Sequence, residues 1–295
     1  MIKSLTSIRG VFILFIFFHH CLDLYSGGGA MAVAFFFVLG GFGLTLGYKD
    51  KVKKSDFSYK QYLTRRFIKF YPLHWICLLA TLPLVLLSFN VKQIPVLAIN
   101  AALLQTWIPF KAVYFSYNAV SWYLANTIFF AAVFPILLKW IINASTKGKI
   151  LIAAGFALVY ALVVVLLPLE WRHAILYISP IMRLTDFVFG VFLALGYLKL
   201  KECAVDKKLC MALQIAVIAA IALLVVESCL VSESTSMIAP IYWPLVAIVI
   251  VLASLSGTTG GVSFTREQMV TASWRTELYY IPDTPVGIEV YSCRF

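Results

Sequence analysis

Charge is what this sequence has least of. Asp and Glu together number 13 in 295 residues, and all charged residues make up 13%, about half the share of an ordinary soluble domain. So few charges cannot solvate the surface of a water-soluble fold of this size. Paired cysteine motifs are also missing. The six cysteines (Cys21, Cys77, Cys203, Cys210, Cys229 and Cys293) contain no CxxC and no metal-ligand spacing, and they read as structural residues, four of them in or beside apolar runs. No small-residue cleavage site follows the first apolar run, which leads straight into another, so the start does not read as a cleavable signal. No internal repeat is evident either.

What is present is apolar. Hydrophobic residues make up 62% of the chain, with a mean hydropathy of +0.93. Runs near 20 residues, the length that crosses a hydrocarbon core of about 30 Å, lie at 5–24, 30–48, 67–87, 121–142, 150–167, 184–198, 209–231 and 238–255. The net charge of +11 raises nucleic acid as a partner. The basic residues, however, sit mainly between the apolar runs, where the positive-inside rule accounts for them and the lipid bilayer is the partner. The linker 49–66 carries Lys49, Lys51, Lys53, Lys54, Lys60, Arg65 and Arg66; Lys139, Lys147 and Lys149 fall in the next basic linker, and Lys199, Lys201, Lys207 and Lys208 in a third. All three face the cytoplasm only if the stretch between 88 and 120 crosses an even number of times. A ninth run, 94–108, is short and interrupted by Asn100 and Gln105, so it reads as re-entrant or interfacial. The expected fold is an all-α polytopic transmembrane bundle of about eight spans with both termini cytoplasmic. Were 94–108 to span, the two later basic loops would move outside.

The first span holds the most informative residues. Ionisable groups in a bilayer are costly and usually face a protein interior or a watery cavity. Arg9 and His20, eleven positions apart, return to nearly the same helix face about 16 Å apart along the axis, while His19 points elsewhere. The bland reading is a snorkelling arginine and histidines bonded to backbone carbonyls. The second span contains Phe35-Phe36-Phe37-Val38-Leu39-Gly40-Gly41-Phe42-Gly43, glycines that let helices approach closely in lipid. The basic linker ends in Arg65-Arg66-Phe67-Ile68-Lys69-Phe70-Tyr71-Pro72. There a cationic cluster at the membrane edge can hold phosphates, although orienting the protein explains it nearly as well.

These segments, in this order, resemble the acyltransferase-3 family of bacterial membrane O-acyltransferases. Arg9-Gly10 with His20 resembles the family's Arg-Gly…His first helix. Phe36 to Phe42 is similar to its Phe-Phe-Val-Leu-Ser-Gly-Phe segment, and Arg65 to Pro72 to its Arg-Arg-x-x-Arg-Ile-Tyr-Pro segment. Trp122 through Phe134-Pro135 keeps the spacing of a tryptophan-to-Phe-Pro helix. Arg183-Leu184-Thr185-Asp186-Phe187-Val188-Phe189-Gly190 resembles its Arg-x-x-Glu-Phe-x-x-Gly segment. The five segments cover about 5 to 200. Several positions depart from the pattern: Thr6 where an acidic residue is frequent, Gly40 for serine, Lys69 for arginine, and Thr127 where many members carry glutamate. The stretch 257–295 is polar, unperiodic and unlike the family's usual last span. A frameshifted or truncated gene is the favoured reading, a genuine tail the other, and the chain divides into an acyltransferase-like domain, 1–256, and this tail.

The resemblance implies a transferase of the bacterial inner membrane and cell envelope. It would move an acyl group, acetyl foremost, from cytoplasmic acyl-CoA as co-substrate to a hydroxyl of a sugar or surface polysaccharide, with no tightly bound cofactor and no metal. His20 would be the catalytic base, since imidazole titrates near neutral pH, and Arg9 its catalytic partner. Arg65, Arg66 and Lys69, with Arg9, would bind the phosphates of the donor. Arg183 and Asp186, at i and i+3, would position the acceptor or form a plain ion pair. A transporter or flippase is the reading from another class, since intramembrane Arg and His also build substrate relays. An inactive remnant of the family is a third.

Overall fold

A computed structural model describes residues 3–22, 26–86, 91, 93–200 and 207–256. The tail 257–295 and part of the third basic linker, 201–206, lie outside the described residues. Within them the chain forms the helices α1 (Lys3–Leu22), α2 (Ser26–Tyr48), α3 (Tyr59–Leu86), α4 (Gln93–Ala101), α5 (Lys111–Tyr114), α6 (Ser121–Asn143) and α7 (Thr146–Leu166). The series continues with α8 (Leu169–Arg172), α9 (Pro180–Leu200), α10 (Lys207–Leu230), α11 (Glu233–Ser236) and α12 (Trp243–Ser256). No strand occurs among the described residues. A helix satisfies all its own backbone groups, which lipid cannot do for it.

Among the described residues, each of the eight apolar runs read from the sequence falls mainly on a helix, the last beginning with a 3₁₀ turn at Ala239–Ile241. Five helical segments among the described residues are long and apolar enough to cross a bilayer: Gly29–Tyr48, Ser121–Asn143, Thr146–Leu166, Pro180–Leu200 and Met211–Leu230. Ser4–His20 and Trp243–Leu255 are apolar but shorter. The protein is a multi-pass membrane protein, all-α in its described part.

Helix α2 is the axis of the bundle. Of its apolar window 72% is buried inside the protein, against 6% for α7, whose surface faces lipid. The reason lies in its small residues. Apolar burial drives little association between helices in lipid, so backbones that approach closely gain most through van der Waals contact. Gly41 and Gly190 provide that approach between α2 and α9: a Cβ on Gly41 would run into the Phe187 carbonyl, and one on Gly190 into the Val38 carbonyl. Around this contact, Phe37 stacks on Tyr123 at 4.8 Å and meets Phe130 edge-on at 5.1 Å.

The interrupted run 94–108 does not form a spanning helix. Helix α4 has nine residues, a length of about 14 Å, and the chain then turns into a 3₁₀ turn at Gln105–Trp107. A helix that ends within a bundle must satisfy its last carbonyls. Helix α3 does so with three side chains: His74 Nε2 donates to the Asn100 carbonyl at 2.9 Å, Trp75 Nε1 to Ala101 at 3.1 Å and the Tyr71 hydroxyl to Ala102 at 3.0 Å. Leu103 takes the left-handed position after the helix, φ 56°, and Leu104 N donates back to Ile99 O at 2.9 Å while Leu103 N donates to Asn100 O at 2.9 Å. That is a Schellman ending with leucine where glycine is usual.

Candidate active site

Three groups of polar side chains collect around α2, and a fourth lies among α4, α5 and the start of α6. The first lies on α1. Arg9 is half-buried and aimed inward: a Cβ on Gly43 would sit 3.7 Å from its Nη2, and Tyr123 of α6 is within its electrostatic reach. At the other end of α1 the two histidine rings lie 5.2 Å apart. His20 is exposed, whereas His19 is half-buried and rests on Gly29, where an added Cβ would come within 2.6 Å of its ring. Helical phase alone pointed to His20; the helix contact encloses His19 more.

The second group is the basic end of α3. Of the three expected phosphate ligands, Arg65 and Lys69 are exposed and Arg66 is half-buried. The Arg66 guanidinium lies over the rings of Tyr48 at 5.4 Å and Tyr62 at 5.2 Å, and Lys51 approaches the same Tyr48 ring at 5.1 Å. Lys69 lies over Phe70 at 5.1 Å. A weakly hydrated planar cation suits such ring contacts better than an ammonium does. This cluster sits at the C-terminal end of α2 and His19 at its N-terminal end, separated by about 28 Å of helix. Arg9, opposite Gly43, falls between them.

The third group is the pair Arg183–Asp186. Arg183 Nη1 and Asp186 Oδ2 are 2.8 Å apart, with side chains 1% and 0% exposed. Arg183 Nε donates to the Tyr177 carbonyl at 2.9 Å, and its guanidinium lies over the Tyr177 ring at 4.8 Å and the Phe37 ring at 5.5 Å. Trp243 Nε1 donates to Asp186 Oδ1 at 2.7 Å. Protein groups thus engage both charges, as a buried pair requires. Trp243 and Tyr177 were not singled out from the sequence; only the fold brings them here.

The fourth group was visible in the sequence merely as interruptions of an apolar run. Asn100 Nδ2 donates to Ser116 Oγ at 2.6 Å, Gln105 Nε2 to Ser121 Oγ at 2.9 Å, and Ser121 Oγ to the Asn118 carbonyl at 2.6 Å. Beside it the Tyr114 hydroxyl and His173 Nδ1 share a hydrogen bond of 3.0 Å. Burial pushes the Tyr114 phenol above its ordinary range. His173 opens a π-type turn, closed by Ser179 N donating to Ala174 O at 3.0 Å, a geometry frequent at functional sites. Thr127, in the position where glutamate is frequent among the proteins the sequence resembles, donates to the Tyr123 carbonyl at 2.9 Å within its own helix.

A family model described as an acyltransferase domain matches residues 2–267. The acyltransferase MdmB of Streptomyces mycarofaciens is 26% identical over 186 residues, which cover 57% of this chain and 46% of that protein. The chain thus matches about half the length of that curated relative. No solved structure gives a significant match.

Proposed function

This chain belongs to the acyltransferase-3 family of membrane acyltransferase enzymes, and from that premise we propose that it moves an acyl group, acetyl foremost, from acyl-CoA to a hydroxyl of a sugar or cell-surface polysaccharide. The observation that carries the reading is the order of groups along α2: Arg66 over the Tyr48 ring, Arg9 opposite Gly43, and the histidine pair at Gly29. Fixed cations at one end suit the phosphates of the donor. Imidazoles at the other suit deprotonation of a hydroxyl.

In this mechanism Arg65, Arg66 and Lys69 hold the donor phosphates at the cytoplasmic end of an eight-span bundle in the bacterial inner membrane. His20 removes the proton from the acceptor hydroxyl, and the oxygen attacks the thioester carbonyl. The C–S bond then breaks, and the thiolate leaves and regains a proton from the imidazolium. Arg9 stabilises negative charge along the donor path. Arg183 and Asp186 act on the acceptor indirectly, by fixing Tyr177 and Trp243.

The test is transfer of labelled acetyl from acetyl-CoA to candidate glycans by the purified full chain. Transfer abolished by His20→Ala, with folding retained, is the expected result. Full activity of that variant removes His20 from the mechanism, and solute uptake into vesicles without acylation replaces the enzyme reading with transport.

A further inference from the structure

Helices α6, α7 and α9 enclose a groove of about 430 Å³ lined by Trp140, Leu151, Gly155, Phe156, Met182 and Thr185, among others. Its wall is apolar; the one hydroxyl, Thr185 Oγ1, is spent on the Met182 carbonyl at 2.5 Å. The groove opens on α7, the least buried of the five long apolar helices, a surface that suits lipid contact.

Basic residues lie close in sequence to the groove's α6 and α7 walls. Trp140 adjoins Lys139, whose ammonium lies over the Phe57 ring at 5.8 Å, and Lys147 stands one turn before Leu151 on the same face of α7. Lys149 lies between them on the first turns of α7. Ser145 caps α7 with its hydroxyl accepting from Gly148 N at 3.1 Å, and the start of the helix adds its partial positive charge. Asp and Glu are absent from 139–159. An apolar slot with a lysine cluster at the membrane edge matches a phospholipid in both parts: chain in the slot, phosphate on the lysines.

We propose that this groove is a specific site for an anionic phospholipid of the leaflet that meets the basic linkers, and that the bound lipid fastens α7 to the rest of the bundle. Both parts can be tested separately, because a Cβ added to Gly155 meets nothing within 4 Å. Gly155→Leu therefore fills the slot without disturbing a neighbour, and the lysine variants leave the slot alone.

The experiment is native mass spectrometry of the full chain with phosphatidylglycerol or phosphatidylcholine of identical chains, paired with thermal unfolding in nanodiscs of each lipid. One retained phosphatidylglycerol per chain and a higher midpoint in phosphatidylglycerol are expected. Binding should weaken about five-fold per Lys→Gln change at Lys139, Lys147 and Lys149, the factor matching roughly 1 kcal/mol per charge. Gly155→Leu should lose the retained lipid while keeping its midpoint in phosphatidylcholine. Equal retention of the two lipids overturns the headgroup assignment, and wild-type retention by Gly155→Leu overturns the groove.

Discussion

Gly41 and Gly190 form a reciprocal contact in which the missing side chain of each makes room for a backbone carbonyl on the other's helix, Phe187 O for Gly41 and Val38 O for Gly190. Both belong to segments with family resemblance, and the contact explains why those segments need glycine there. No rotamer change relieves a clash with backbone, so the two helices would have to separate.

Gly190→Ala is therefore expected to destabilise the bundle by about 1–3 kcal/mol or more, the range for overpacking a tight core. Gly196→Ala on the same helix, where an added Cβ meets nothing within 4 Å, should be close to neutral. Thermal unfolding in detergent compares the two, and equal midpoints would contradict the packing account.

Gly29→Ala should act on the histidines rather than on the fold. Its Cβ would come within 2.6 Å of His19 Cδ2, and the half-buried ring can swing aside. Acyl transfer should fall while the unfolding midpoint holds; unchanged transfer would show that the seat of His19 does not matter to the reaction.

Asp186→Asn removes the charge that answers a 1%-exposed arginine. Breaking a buried pair from one side costs about 3–5 kcal/mol. Trp243→Phe keeps the pair but withdraws the 2.7 Å donor from Asp186, which costs about 1–3 kcal/mol. The predicted ranking by thermal unfolding is wild type, then Trp243→Phe, then Asp186→Asn.

Arg66→Lys keeps charge but loses the planar face set against the Tyr48 and Tyr62 rings. Two stacked contacts of about 0.5–1 kcal/mol each predict a several-fold rise in KM for the acyl donor, with little change for the acceptor. Arg65→Lys, at an exposed position, should change less. Steady-state kinetics against each substrate decides it.

The eight helical runs were legible because hydropathy is a local property: lipid selects each segment by its own length and composition. The status of 94–108 was legible for the same reason, since Asn100 and Gln105 interrupt an already short run. The closure of α4 was not. Its carbonyls are answered by Tyr71, His74 and Trp75, three residues of another helix whose sequence reads equally well as an interfacial aromatic belt. The candidate site divides in the same way. Arg9, His20 and the basic cluster stand out because charge in an apolar chain is rare. The enclosure of His19 by Gly29 does not stand out, because a glycine's neighbour leaves no mark in the sequence around it.

By itself, the sequence determined the membrane environment, the helical segments and the ordered family motifs, all of which depend on residues near one another in the chain. Tertiary structure alone decided that Asp186 is paired with Arg183 and also bonded to Trp243. It alone brings Gly41 against α9 and seats Arg66 on the edge-to-face pair Tyr48 and Tyr62. Such contacts join residues far apart in the chain, and their energies depend on distance and burial that only the packed bundle sets.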